Sequence, residues 1–478
     1  MANTIHATAP MGRRGLIQGA ALLGAAALLP FPLSAAPGDV FDVAVVGSGA
    51  GGFTAAIRAA ESGARVVLIE ANTWVGGASR VATGIFGCAG HPIQKALGFT
   101  NGPEDLYKLY ISEAAATKTR ADATVARILA DGAIPAADWL ASLGVEWSTQ
   151  KAQKFFLNIK EGHRLGEYLI DALEKKARAL EVTIVTSCRA EKLLVEQGRI
   201  AGVECATPTG KRTFTAGAVV LASGGFEANP EMIARYIGNG WEKAGVYCTP
   251  TNRGDGQRMA QAIGADLVDM KILKANPTVH VSAGNRYNLI SAVRAGAVAV
   301  GHDGTRFFNE LGGYWQSYRI WAQPDHCAWL LFGDPVIKAD PRLEKLVASG
   351  TIHKTDSIEK LAEKIGLDPA SLAATVAQYR KAVETGTPDE FGRKPLKDPF
   401  GGSWYAAKIE PMIQGTFGGV KTIPDTEVLT SKGDVIPGLF AVGECAANGL
   451  RGVNPQTANI VFGSIAGRRS AAFVLNRK

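Results

Sequence analysis

The stretch Phe41-Asp-Val-Ala-Val-Val-Gly47-Ser-Gly49-Ala-Gly51-Gly52, followed by an apolar run that ends in Glu70, decides the fold of this chain. Phe41 to Val46 reads as a buried strand, Phe53 to Ser62 carries a helical pattern up to Gly63, and Arg65 to Glu70 reads as a second strand. Together they make a β-α-β unit of about 30 residues. Gly47, Gly49 and Gly52 fit G-x-G-x-x-G at the strand-to-helix turn, the context that motif needs, with Ala50 and Gly51 inside it. The first glycine permits the turn, the second lets the backbone reach a pyrophosphate, and the last lets the helix pack on the sheet. The helix N-terminus then offers its partial positive charge to the phosphates, and Glu70 closes the second strand where an acid can accept both ribose hydroxyls. A dinucleotide site follows.

Three later segments favour FAD over NAD, because a larger cofactor needs backbone approaches from several places. They are Gly76-Gly77-Ala78-Ser79, the small-residue end Ala222-Ser223-Gly224 of the strand Ala218 to Leu221, and Gly443-Glu444 after an apolar strand. The predicted FAD contacts are Gly47, Gly49, Ala50, Gly51, Gly52, Glu70, Ala71, Gly76, Gly77, Ala78, Ser79, Ala190, Ala222, Ser223, Gly224, Gly443, Glu444, Gln456 and Thr457.

Upstream of this unit, Arg13-Arg14 precedes a mild apolar stretch from Leu16 to Leu29 that ends in Pro30, Pro32 and the small-residue site Ser34-Ala35-Ala36. A stretch that short is the h-region of a signal, since a bilayer span needs about 20 residues. Twin arginines address a chain to a route that exports folded, cofactor-loaded proteins, so a periplasmic location is expected, with no membrane span in the mature protein. The formal charge of +7 falls to +5 without residues 1–36, which carry Arg13, Arg14 and no other charged side chain. Lys and Arg are scattered without a block, which argues against a nucleic-acid face.

The six cysteines lie far apart, with no C-x-x-C and no C-x-x-C-H, so neither covalent haem nor a structural metal site is expected. They read as buried thiols. At 478 residues with 46% apolar content, the chain can bury a large core and form two bodies. From about Lys271 the pattern changes to short strands with aromatic and polar residues, then helices from Asp334 to Gly386 and a Gly/Pro/Lys-rich loop from Gly386 to Gly402. The expected fold is α/β: a Rossmann-like FAD-binding domain formed by residues 37–270 and 416–478, with an inserted α+β capping domain over residues 271–415, after a signal at residues 1–36.

The strings VVGSGAGGFTAAIRAAESGARVVLIE, GGASRVATG, VVLASGGFEAN, GDGQRMAQAIGA, GTRFFNE and GLFAVGECAANG, with FGSIAG, occur in this order. Over residues 40–475 the chain thereby resembles the flavoprotein superfamily of soluble fumarate reductases and 3-ketosteroid dehydrogenases. It looks like a soluble flavocytochrome c-type flavoprotein without the haem domain. The resemblance implies a split FAD domain of the GR2 type with an intervening cap. Fumarate reductases place a histidine where this chain has Asn276 and an acid where it has Ser291; Arg294 is retained. Their proton-donating arginine falls at Tyr314, their paired histidines fall at Gln414-Gly415, and Arg451 stands near their carboxylate-binding arginine without matching its register. In 3-ketosteroid dehydrogenases a catalytic tyrosine occupies the position of Tyr314, in a similar RF-x-NE context.

The expected function is therefore that of an exported FAD-dependent oxidoreductase acting on a carbon–carbon bond beside a carbonyl or carboxyl group. Such chemistry needs hydride exchange with flavin N5 and a proton donor or acceptor, the role expected of Tyr314. Arg294 is the expected cation beside that tyrosine, and Arg451 the expected holder of a substrate oxygen. Trp315, Tyr318 and Tyr287 would suit a flat ring substrate, while His163-Arg164 reads as a turn ahead of a helix. One dinucleotide site implies a separate redox partner, a cytochrome or a quinone pathway. Fumarate-type reduction through Arg294 and Arg451 is an alternative, as is an electron-transfer subunit that carries flavin but has no organic substrate.

Overall fold

A computed structural model of the chain describes residues 39–82, 85–116, 122–447 and 455–476. The expected signal at residues 1–36 and Arg451 lie outside the described residues.

An eight-stranded sheet carries the N-terminal unit. Its main path runs Glu427–Leu429, Val435–Ala441, Gly210–Leu221, Val40–Val46, Val66–Ile69, Thr183–Val185. Every pairing from Val435–Ala441 onward is parallel. The hairpin around Gln197-Gly198, formed by Arg189–Glu196 and Arg199–Thr207, joins through the early half of Gly210–Leu221. That strand is longer than the Ala218 to Leu221 segment the sequence suggested, because its first residues, Gly210 to Phe214, pair only with the hairpin.

A parallel strand buried on both faces needs apolar residues at every position, which explains the unbroken run Val43 to Val46. Val43, Val45, Ala218 and Val220 face a layer holding the helices Ala50–Glu61 and Pro455–Leu475. Ala44, Val46, Val219 and Leu221 face the hairpin and Met259 of the helix Asp255–Ala262. Gly463 and Gly467 set the first layer: a Cβ on Gly467 would lie 2.3 Å from the Ala55 carbonyl oxygen, so only glycine lets these two helices touch.

A second sheet is built wholly from residues 273–416 and is antiparallel throughout. Its order is Asn285–Asn288, Leu273–Ser282, Trp404–Thr416, Ala328–Gly333, Val298–Val300, with Ile352–Thr355 also paired to Trp404–Thr416. The sequence suggested short strands after Gly402, whereas Trp404–Thr416 runs 13 residues and pairs with three others. Leu267–Val268 and Gly419–Val420 pair with each other, so the chain leaves and re-enters the first body at neighbouring points.

Candidate active site

The carboxyl ends of the parallel strands open onto a cavity of about 1200 Å³ lined by Val46, Ile69, Ala222 and Val442, with residues of the second sheet on its far side. That is where open α/β sheets bind ligands. Gly47 has φ +103°, and a Cβ there would lie 2.3 Å from the Ala222 carbonyl oxygen; one on Gly52 would lie 1.8 Å from the Gly47 carbonyl oxygen. The turn is thus closed by backbone on two sides.

Glu70 is held from both sides. The Ser48 N–H donates to one carboxylate oxygen at 3.0 Å, and the Asn72 N–H donates to the other at 2.8 Å. Ser48 Oγ also donates to Glu70, and it accepts from the Gly76 N–H at 2.8 Å. Ser79 Oγ accepts from the Ala50 N–H at 3.1 Å. These bonds lock the second glycine segment against the first, and Ser48, which the sequence reading passed over, is their hub. Glu70 still lines the cavity with acceptor capacity left for hydroxyl groups.

Of the predicted cofactor residues, Gly47, Gly49, Ala50, Gly51, Glu70, Ala71, Gly77, Ala78, Ser79, Ala190, Ala222, Ser223, Gly224, Gly443, Glu444 and Gln456 line the cavity. Gly52, Gly76 and Thr457 stand one layer back: Gly52 packs the helix on the turn, Gly76 has φ +108°, and Thr457 donates to the Gly87 carbonyl at 2.9 Å. A glycine-walled cleft, two helix N-termini at Ala50 and Pro455 and an anchored acid fit FAD, which these residues would hold.

The other predicted residues separate. Tyr314, on a short 3₁₀ turn at Gly313–Trp315, lines the cavity and is 42% exposed. Arg294 does not reach it: the side chain is exposed, and its own carbonyl accepts from Lys397 while the Val293 carbonyl accepts from Arg393. The cation beside Tyr314 is instead Lys274, whose Nζ sits 4.2 Å from the ring centroid. Asn276 is buried, accepting from the Thr278 N–H at 3.1 Å. Ser291 donates to Asp340 and accepts from Arg342 at 3.1 Å, and those two place a carboxylate and a guanidinium in the cavity wall. Gln414 lines the cavity and Gly415 backs it, a Cβ there meeting Glu444 at 3.0 Å. Tyr287 and Arg164 lie on the cavity wall; Trp315 lines a side chamber of about 90 Å³ that shares Lys274, Tyr314, Gly443 and Glu444 with the cavity. Tyr318 is structural, its hydroxyl donating to the Leu273 carbonyl at 3.2 Å.

Glu444, half-buried on this wall, has the buried carboxyl of Glu227 behind it. Burial raises Glu444, and Lys274 partly offsets the rise; burial and the Glu444 charge together raise Glu227. Asn252 donates to Glu227 at 2.6 Å, and the Cys248 thiol, itself pushed up by burial, packs against it.

A buried ion cluster holds the run GTRFFNE just ahead of the turn that bears Tyr314. Arg306 pairs with Glu310 and with Asp389 at 2.8 Å each, and Arg393 pairs with Glu310 at 2.9 Å. All four side chains are at most 2% exposed. Glu310 also accepts from the Ala299 N–H at 2.9 Å, tying the turn that follows to the second sheet.

A parallel sheet with this glycine turn, anchored acid and cleft defines a flavoprotein oxidoreductase of the dinucleotide-binding α/β class. The chain matches the family described as FAD binding domain over residues 42–461 and belongs to that family, with FAD as its cofactor. It is 32% identical over 459 residues to a protein named fumarate reductase (cytochrome) from Shewanella frigidimarina, covering 92% of this chain and 79% of that protein. It is 30% identical to a urocanate reductase from Eggerthella lenta, covering 90% and 74%. The 3-ketosteroid delta1-dehydrogenase of Sterolibacterium denitrificans superposes with a TM-score of 0.77 at 21% identity, over 91% of this chain and all of that one, which shows the shared fold.

Proposed function

We propose that this oxidoreductase adds or removes hydrogen across a carbon–carbon bond beside a carbonyl or carboxyl group, with Tyr314 handling the proton. The observation that carries this reading is Tyr314 under the Lys274 ammonium, on the wall that the main cavity shares with the side chamber beside Glu444. Bound FAD supplies the two-electron chemistry. A tyrosine hydroxyl carries a transferable proton, and the Lys274 ammonium holds the Tyr314 ring against the cavity wall. Because Tyr314 is half-exposed, solvent can return the proton. Lys274, Arg286 and Arg342 line the cavity and suit a substrate that carries an anionic or carbonyl oxygen. Relatives named for fumarate and urocanate support an unsaturated carboxylate.

The segment 273–416 acts as the cap that brings these groups over the cofactor. Arg13-Arg14 and the small-residue site before Ala36 support export to the periplasm, and the single dinucleotide turn supports a cytochrome or quinone pathway as redox partner. No described helix is long and apolar enough to cross a membrane.

Photoreduced enzyme mixed anaerobically with fumarate, a phenylpropenoate or an enone steroid should be reoxidised by at least one of them. Tyr314→Phe should slow that turnover by about 100-fold while FAD stays bound. Unchanged turnover in this variant removes Tyr314 from the reaction.

A further inference from the structure

Val298–Val300 and Ala328–Gly333 pair antiparallel, with Val298 opposite Leu331 and Val300 opposite Trp329. Extending that register past the end of the ladder sets His302 opposite Cys327, with Asp325 two residues earlier. Side chains opposite each other on neighbouring strands have Cβ atoms about 4.5–5.5 Å apart, within reach of a shared ligand.

The imidazole Nε2 of His302 lies 3.7 Å from Cys327 Sγ and 3.7 Å from the Asp325 carboxylate, and the three donor atoms all fall within 4.8 Å of one another. The His302 to Asp325 separation is too long for a hydrogen bond. A tetrahedral zinc ion holding nitrogen, oxygen and sulfur at about 2.0–2.3 Å separates its ligand atoms by about 3.3–3.8 Å. Both measured edges have that size. Thiolate, imidazole and carboxylate together are the donors of a borderline-soft ion.

Burial grades across the group: Cys327 is buried, His302 half-buried and Asp325 exposed, so the group opens toward solvent on the Asp325 side. Burial raises the Cys327 thiol, and the nearby Lys408 ammonium partly offsets that rise. None of these residues lines the cofactor cavity.

We propose that His302, Asp325 and Cys327 form a divalent transition-metal site, best matched to zinc, that clips the open end of this strand pair. The absence of any C-x-x-C hid it from the sequence, since its ligands converge only through cross-strand register.

The test uses the FAD-loaded full chain, stripped with a chelator and dialysed against zinc chloride. One zinc per chain should bind, and the melting temperature should rise with free zinc as binding to the folded state requires. Cys327→Ser and His302→Gln should each weaken binding at least tenfold, and so should Asp325→Asn, whose exposed side chain leaves folding intact. His163→Gln, at a distant exposed ring, should bind as the parent does. Failure to bind zinc stoichiometrically at micromolar concentrations overturns the site, as does binding that all three ligand variants retain.

Discussion

Replacing Glu227 by glutamine should flatten the dependence of stability on pH. Glu227 does not line the cavity, and glutamine keeps an oxygen to accept from Asn252, so the wall and its hydrogen bond survive. In the folded chain burial, reinforced by the Glu444 charge, pushes the Glu227 carboxyl from 4.5 up to about 8. Lys274 favours ionisation of Glu444 first, and that charge then holds the proton on Glu227. A carboxyl raised on folding binds its proton more tightly in the native state. Its contribution is complete below the unfolded value and is lost as pH rises through the folded one, between roughly pH 4.5 and 8. At about 1.4 kcal/mol per unit the loss has a ceiling of about 5 kcal/mol, and sharing with Glu444 brings the expected range to about 2–5 kcal/mol. Glutamine carries none of this. The variant should match the parent near pH 5 and exceed it by that range near pH 9, measured by chemical denaturation of the FAD-loaded protein at fixed free FAD. Parallel stability profiles for the two proteins between about pH 6 and 9 would refute the buried-carboxyl reading.

Gly52→Ala should leave the chain without flavin: the new Cβ would lie 1.8 Å from the Gly47 carbonyl oxygen, so the turn must open. The flavin-to-protein absorbance ratio reports it, and a full complement of FAD would show that the turn tolerates the group. Glu310→Gln leaves Arg306 and Arg393 short of their shared carboxylate in a fully buried place, and should cost about 3–5 kcal/mol with a matching drop in melting temperature. It should also lower turnover by displacing the turn that bears Tyr314, which a coupled measurement of kcat would register. Lys274→Met should slow turnover at least tenfold with FAD retained, while Arg294→Met should leave it unchanged; the reverse outcome would restore the assignment made from sequence.

The cofactor half of the molecule was legible because its determinants are local. Strand, glycine turn, helix and acid fit within residues 41–70, and most of the predicted contacts line the cavity. The catalytic half was not, because its geometry depends on residues far apart in sequence. Arg294 had a matching motif, yet Arg393, about a hundred residues on, takes the Val293 carbonyl and leaves the arginine side chain outside. Lys274 sits two positions before Asn276, and period two would place both on one face. A register shift between Lys274 and Ala275, with another after Asn276, breaks the alternation, so the lysine meets Tyr314 while the asparagine is buried and accepts from the Thr278 N–H. Glu227 lay within a quoted motif, but nothing local marks a carboxyl that Glu444 will face from the far end of the chain.

The two halves meet because the cofactor side contributes backbone and the second sheet contributes charge. Glycines and small residues make the cleft wall permissive toward a large ligand, and such a wall cannot by itself choose a reaction. Lys274 arrives on Leu273–Ser282, Tyr314 on a turn anchored through Glu310, and Arg342 beside Ser291. Lys274 stands on the sheet itself, the turn bearing Tyr314 is tied to it through Glu310, and Arg342 is held by Asp340 and Ser291. Substitution at these anchors is therefore expected to alter the charged and hydrogen-bonding groups of the cavity wall while flavin binding persists. The Tyr314 hydroxyl and the Lys274 ammonium on the cavity wall are the groups to which we assign the proton step, so Tyr314→Phe and Lys274→Met test that assignment directly.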